Sequence, residues 1–482
     1  MSVACGSLST AVLTERGGLW VFGENNVGQL GIGSLQRSDE PILRGGVGPA
    51  EGDEVEVLTG GLRALALSGG AAAAAQGAPA VAGHPFGNEA LVMVAGGFSH
   101  YCAVTDSGVV WVWGDNGDGQ LGVGPILGHF IAPVRWGPDL CGGEPIAMVA
   151  CGNDHTLALT RTGSIWSCGD AFYGQTGVQP VDRVVVPTRV PVPATVFVMV
   201  AAGSIHSMAI DAQGMVWTWG YDRLGRLGQG TNTMDRQPRA VCLGLGAFAG
   251  AKVVYISASE HSAAVTAKAE LWVWGLDMQG ELLVPTLLGV GGEGGGARVS
   301  TVSCGSAHTL VLTEDGAVHS FGSGGSGELG HDDRVNRALP ARIPQAHFGG
   351  ARVVSAIAGS HVSFAISSEG ILYSWGGVDF DEMDAVPALG LSADAPAAQV
   401  PMPVPACLPP GMRAGRSCGV SRRTTVLLFL GVHPRVGAAS PLAALPDLVL
   451  DVIADQAWTP TGVYAGMGEG LLRMLAVRTR IT

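Results

Sequence analysis

The sequence predicts an all-β chain that closes into a β-propeller, seven blades being the expected count and eight the alternative, followed by a short helical C-terminal tail. Three observations carry this. A phrase of the form small-Gly-x-x-His, an alternating apolar stretch, a turn and then Gly-x-h-Trp-x-Trp-Gly recurs about every 50 residues. Each copy alternates its side chains with period two, as a strand does, and nothing in the repeat runs amphipathic over a dozen residues. Glycine occurs 75 times in 482 residues, too often for a helical solenoid.

The first element of each copy is its Gly-x-x-His phrase. Its leading Gly, or an Ala in its place, falls at Gly97, Gly152, Gly203, Ala258, Gly305 and Ala358, with histidines at His100, His155, His206, His261, His308 and His361. The spacings are 55, 51, 55, 47 and 53 residues. Gly6 begins an earlier copy with Ser9 in the histidine slot, and Gly419 a later one with Arg422. Residues 55–96 read as a degenerate copy around Gly60, with Arg63 replacing the histidine. That gives nine starts, so the terminal copies are expected to share one blade and close the ring by pairing first strands with last.

The alternating stretch His-Thr-Leu-Ala-Leu and the later aromatic strand form a hairpin, joined by turns such as Thr-Asp-Ser-Gly or Asp-Ala-Gln-Gly whose Gly accepts positive φ. The aromatic strand ends in Trp113-Gly114, Trp219-Gly220 or Trp274-Gly275, with Phe22, Phe321 and Trp375 in the same slot. A loop such as Gly-Asp-Asn-Gly-Asp-Gly-Gln-Leu-Gly at 114–122 follows, then Pro-broken apolar stretches that complete four strands per unit. Four-stranded modules that cannot bury their faces alone can do so by stacking radially.

These phrases resemble the repeats of the regulator of chromosome condensation family over about residues 3–430. Ala-Cys-Gly-Asn-Asp-His-Thr-Leu-Ala-Leu, Ser-Cys-Gly-Ser-Ala-His-Thr-Leu-Val-Leu and Gly-Glu-Asn-Asn-Val-Gly-Gln-Leu-Gly carry the likeness. The resemblance implies a seven-bladed propeller of residues 1–430 that acts through protein partners. Guanine-nucleotide exchange on a Ran-like small GTPase, the namesake's activity, is the alternative it implies, although no exchange segment aligns. Ultraviolet-B reception in this family uses Gly-Trp-Arg-His-Thr phrases; the slots here read Gly-Phe-Ser-His, Gly-Asn-Asp-His, Gly-Ser-Ile-His and Gly-Ser-Ala-His, without Trp-Arg.

Chemistry is sparse. One histidine per blade spreads the six around a wide circle, too far apart to share a zinc ion, so each is expected to satisfy backbone within its own blade. The aromatic slots read as packing between blades. Gly-Ser-Gly-Gly-Ser-Gly at 322–327 matches a dinucleotide fingerprint in spacing only, because no helix follows. The only lysines, Lys252 and Lys268, are not in a phosphate-binding loop, and the loop at 115–119 lacks calcium ligands in register. Nine cysteines without a CxxC pair predict reduced, packed thiols. No cofactor, no metal and no catalytic residues are therefore expected.

Net charge is −13, and there is no basic block to track a phosphate backbone, which argues against direct nucleic-acid binding. Neither a spanning apolar run nor a secretory signal is evident, so an intracellular protein, nuclear or cytoplasmic, is expected. Residues 431–482 place Leu445, Leu448, Val449, Val452 and Ile453 at helical spacing. Leu-Pro-x-x-x-Leu-x-x-Ile within them is similar to the opening of an F-box-like helix and raises a second alternative, a ubiquitin-ligase adaptor. The leading expectation is a non-enzymatic interaction scaffold that meets its partners through propeller-face loops.

Overall fold

The computed structural model describes residues 1–14, 17–44, 86, 89–179, 181–193, 195–233, 236–277, 280–291, 296–377 and 398–404. These form seven four-stranded antiparallel sheets, the blades of a propeller. Blades 1 to 7 occupy residues 2–44, 91–135, 146–189, 197–242, 253–288, 299–342 and 353–403. In blade 2 the strands are Leu91–Gly96, His100–Thr105, Val110–Asp115 and His129–Arg135, hydrogen-bonded in that order. The other six blades repeat this meander.

Seven sheets decide the blade count, and each is continuous in sequence. The expected sharing of one blade between the two ends of the chain is therefore overturned among the described residues: blade 1 is built from residues 2–44 alone and blade 7 from residues 353–403 alone. Blade 7 meets blade 1 directly, with Cys5 packed against Gly359. The last six residues of the degenerate copy, Leu91–Gly96, are the first strand of blade 2. Most of residues 55–90, the copy at Gly419 and the tail at 431–482 lie outside the described residues.

The first strands of consecutive blades abut around the axis, and the fourth strands form the rim. His129–Arg135, a fourth strand, is exposed or half-buried throughout. The second strand is buried at every position in all seven blades. Its alternating residues therefore point not to core and solvent but to the two neighbouring blades. The hydrophobic clusters lie in these layers: Leu157, Leu159, Val190, Phe197 and Trp219, for example, join blades 3 and 4. Trp113, Trp219, Trp274 and Trp375 are fully buried there, and burying each large aromatic contributes roughly 3 kcal/mol.

A meander places its turns at alternate ends. The connections between first and second strands and between third and fourth strands share one face, called here the loop face. The tight hairpin turns and the inter-blade connections, including short 3-10 turns at Leu140–Gly143, Leu245–Phe248 and Gln345–Phe348, share the other. Among the described residues no helix is long and apolar enough to cross a membrane.

Candidate interaction face

The repeat histidines build the frame that holds the loop face. His100 Nε2 lies 2.9 Å from the Thr156 hydroxyl of the next blade. The same bond recurs from His155 to Ser207 at 2.9 Å, His206 to Ser262 at 2.8 Å, His261 to Thr309 at 2.6 Å and His308 to Ser363 at 2.9 Å. The expectation that each histidine serves its own blade is thus corrected: the side chain ties blade n to blade n+1. The hydroxyls of Thr156, Ser207, Ser262 and Ser363 in turn donate to the carbonyls of Gln120, Gln175, Arg226 and Glu328, at 2.7 to 2.9 Å. A hydroxyl has one proton, so in these four junctions the imidazole must be the donor. That leaves Nδ1 as the bare nitrogen, and Nδ1 of His100, His155, His206 and His308 is buried without a partner.

The repeat tryptophans close the same circuit. Trp219, Trp274 and Trp375 donate their indole N–H to the carbonyls of Gln175, Arg226 and Glu328, each at 2.9 Å, and Trp113 does so to Gln29. Each of these carbonyls sits in the loop of the preceding blade. Blade 3 has Cys168 in the tryptophan slot, and its thiol faces the Gln120 carbonyl instead, at 3.4 Å.

The glycines are fixed by the same approach. A Cβ on Gly97 would stand 2.3 Å from the Gly152 carbonyl and 2.4 Å from the His100 ring. Gly152, Gly203 and Gly305 meet the next blade in the same way. Gly114, at φ +98°, pairs with His100 across the hairpin, and Gly220 with His206; Gly275 follows the Ser262–Trp274 pair.

One assignment from the sequence is displaced by a residue. In blade 7 Val362, not His361, pairs with the glycine that ends the third strand, Gly376, and Gly359 donates to the Val362 carbonyl as Gly97 does to that of His100. The Ala358–His361 spacing matched the phrase, but Gly359 one residue later is the glycine that the blade uses. His361 is half-buried beside it.

His100, Cys102 and Cys151 bring their ligating atoms within 4.8 Å of one another. The His100 Nε2–H is engaged with Thr156, as at junctions that hold no thiol pair, and burial pushes the Cys151 thiol well up. This trio reads as packing.

The long loops are rigid on their own terms. Asn116 Oδ1 accepts the Leu121 N–H at 2.9 Å, and Gln120 bonds the Asp118 N–H and the Asp115 carboxylate. Asn25 and Gln29 do the same work in blade 1, and Gln175 in blade 3. With these polar residues engaged, the side chains left to meet a partner are those on the surface of the loops.

Two features stand out there, on blades 2 to 4. Asp154 lies within electrostatic reach of Asp115, Asp118 and Asp170; burial and these three carboxylates raise its carboxyl to about 6. Beside them lies an aromatic group. Phe172 is 43% exposed and packs edge-on against Tyr173 at 4.9 Å, Tyr173 lies 4.5 Å from Tyr221, and the Arg236 guanidinium sits 3.6 Å over the Phe172 ring. Phe98, 51% exposed, projects from the adjacent turn of blade 2, whose backbone reaches Asn153 of blade 3. Sequence reasoning missed this patch because only the third dimension brings together residues from five separate loops.

Comparison with known proteins defines the class. A family model described as RCC1-like domain matches residues 1–286, and models of the regulator of chromosome condensation (RCC1) repeat match residues 299–328 and 315–366. The chain belongs to the family of RCC1-like propellers. Among curated proteins it is similar to the ultraviolet-B receptor UVR8 of Arabidopsis thaliana, 30% identical over 61% of this chain and 66% of that one. It is also similar to the human E3 ubiquitin-protein ligase HERC2, 32% identical over 58% of this chain and 6% of that one, and to the protein RCC2 homolog of Xenopus laevis, 28% identical over 58% and 49%. The chain thus spans less than two thirds of the length of each of these relatives. Human WBSCR16 shares the fold at a TM-score of 0.59, 22% identity and coverage of 75% of this chain and 84% of that one. Yeast RCC1 (Prp20), solved with Kap60, does so at a TM-score of 0.60, 22% identity and coverage of 80% and 83%.

Proposed function

We propose that the protein is a non-enzymatic regulatory propeller that binds other proteins through its loop face. One observation carries this: five of the six repeat histidines, their partner hydroxyls and the buried tryptophans are consumed in holding blade to blade, while exposed Phe98 and Phe172 and partly exposed carboxylates gather on the loops of blades 2 to 4. Exposed aromatic side chains with an arginine are the composition of interface anchors. The test is site-specific photocrosslinking in cells, with a photoreactive residue at position 172 on the loop face or at 162 on the opposite face. Adducts with discrete partners are expected from position 172. Adducts from position 162 alone would overturn the reading.

A second reading is nucleotide exchange on a Ran-like GTPase. It is favoured by the likeness to yeast Prp20p, whose solved structure is described together with its binding to Gsp1p and histones. Release of a fluorescent nucleotide from such a GTPase, accelerated by orders of magnitude, would establish it. The ubiquitin-ligase reading rests on residues 431–482 and on the name of HERC2; co-purification of ligase core subunits that disappears when those residues are deleted would support it.

A further inference from the structure

We propose that the loop face of blades 2 to 4 takes a basic polypeptide segment, its arginines or lysines set between the Asp115–Asp118–Asp154–Asp170 cluster and the Phe172–Tyr173–Tyr221 rings. The proposal rests on the loop-face reading above and names the partner's chemistry. Charge selects it. Among the described residues the Asp118 carboxylate pairs with Arg183 at 2.6 Å, and Asp115 is hydrogen-bonded to the His129 imidazole at 3.2 Å; Asp182 stands 4.0 Å from Arg236. Asp154 has no ion pair among the described residues; the Asp170 N–H donates to its carbonyl at 2.7 Å, so the two positions lie side by side on this face, and Asp115 and Asp118 are within electrostatic reach. Like charges within reach of one another on one face raise each other's free energy, and a bound cation relieves it.

The rings supply the second half of the site. Arg236 over Phe172 shows that a guanidinium fits this aromatic surface, and the half-exposed Tyr173–Tyr221 pair offers a neighbouring π surface on the same face. A guanidinium on an aromatic face is worth roughly 0.5–1 kcal/mol where exposed and more where desolvated. A segment that alternates cations with small residues meets both features. An acidic or purely apolar segment would leave the carboxylates uncompensated.

The experiment uses the full chain and a fluorescein-labelled ten-residue peptide of alternating Arg and Gly, read by anisotropy at low salt and pH 7.5. Saturable binding that weakens with salt is expected. Asp118→Asn with Asp154→Asn should weaken it about tenfold, and Phe172→Ala with Tyr221→Ala severalfold, with the melting temperature confirming that each variant is folded. A Glu-Gly peptide should not bind. Equal binding of that acidic peptide, or unchanged affinity in the aspartate variant, would overturn the proposal. If adducts still form at position 172 in cells while the Arg-Gly peptide fails to bind, the basic-segment inference falls and the loop-face function stands. If the peptide binds while adducts come only from position 162, the loop-face reading falls and this surface is left as a peptide site without that role.

Discussion

Five junctions of the ring, from blade 2 to blade 7, are pinned by a buried histidine hydrogen-bonded to a hydroxyl of the next blade. The junction from blade 7 to blade 1 is built differently. Val362 stands where the histidine would, Phe22 where the tryptophan would, and they pack with Val12, Phe364, Ala356 and Ala358 in one apolar cluster. Between blades 1 and 2 the sizes are exchanged: Ser9 takes the histidine slot, and Tyr101, in the hydroxyl slot, reaches back to it at 2.9 Å while accepting the Gly6 N–H. The ring therefore uses directional bonds where it repeats and shape where its ends meet. A hydrogen bond fixes register, because a slipped blade would strand a buried donor. An apolar seam tolerates small displacement.

Acid should separate the two kinds of junction most strongly. Burial lowers His100 and His261 to about 4 and His155 and His308 to about 3, and His206 well below its ordinary value. Unfolded, each titrates near 6.5. Between pH 6.5 and 4 the unfolded chain binds protons that the folded chain refuses, so stability falls as pH falls through that window. At pH 5 each histidine costs up to about 2 kcal/mol. A lower urea midpoint at pH 5 than at 7.5 is expected, with hydrogen exchange rising at the histidine junctions before the Val362 seam. A midpoint independent of pH would refute the buried neutral imidazoles.

Next in size is a single lock. His206→Ala removes the donor to Ser262 and opens a cavity, at a cost of about 2–4 kcal/mol. His206→Phe restores most of the volume without the donor, so the difference between the two variants in thermal melts divides packing from hydrogen bonding. If both match the original chain, the lock contributes nothing.

The sequence made the hairpins and the radial stack legible, because alternation, turn glycines and a period near 50 residues are local signals. His361 was misplaced for a physical reason: Ala358-Gly359 offers two small residues in a row, and only pairing with Gly376 selects the second. The direction of the histidine bond was invisible for a related reason, since its partner lies 48 to 56 residues away. The aromatic–carboxylate patch went unread because its residues fill variable slots of the repeat: Phe98 and Asp154 lie inside the Gly-x-x-His phrase, and Asp115, Asp170 and Tyr221 follow the glycine that ends the third strand, where the repeat fixes the place but not the residue type.

The seam can be converted. Thr10 holds the hydroxyl slot of blade 1 and is fully buried, so Val362→His should set an imidazole toward it as His308 is set toward Ser363. A gain of about 1 kcal/mol is expected, and it should vanish in the Thr10→Val background, which a double-mutant cycle measures. A gain that survives Thr10→Val would mean that shape, not a donor, limits this junction.

The smallest effect expected lies on the loop face. Asp154 titrates near 6 when folded, above the roughly 3.9 of an unfolded aspartate. Between those values the folded chain holds a proton that the unfolded chain has lost, so this group favours folding at low pH, and the benefit is lost as pH rises through 6. Above pH 6 the ionised carboxylate works against the fold by about 1 kcal/mol, once solvent screening of a half-buried group is allowed for. Asp154→Asn should then stabilise the chain by that amount at pH 7.5 and by nothing at pH 4. Subtracting variant from original at each pH cancels the larger histidine effect. A gain equal at both pH values would place its origin in packing and remove the carboxylate repulsion on which the basic-segment site depends.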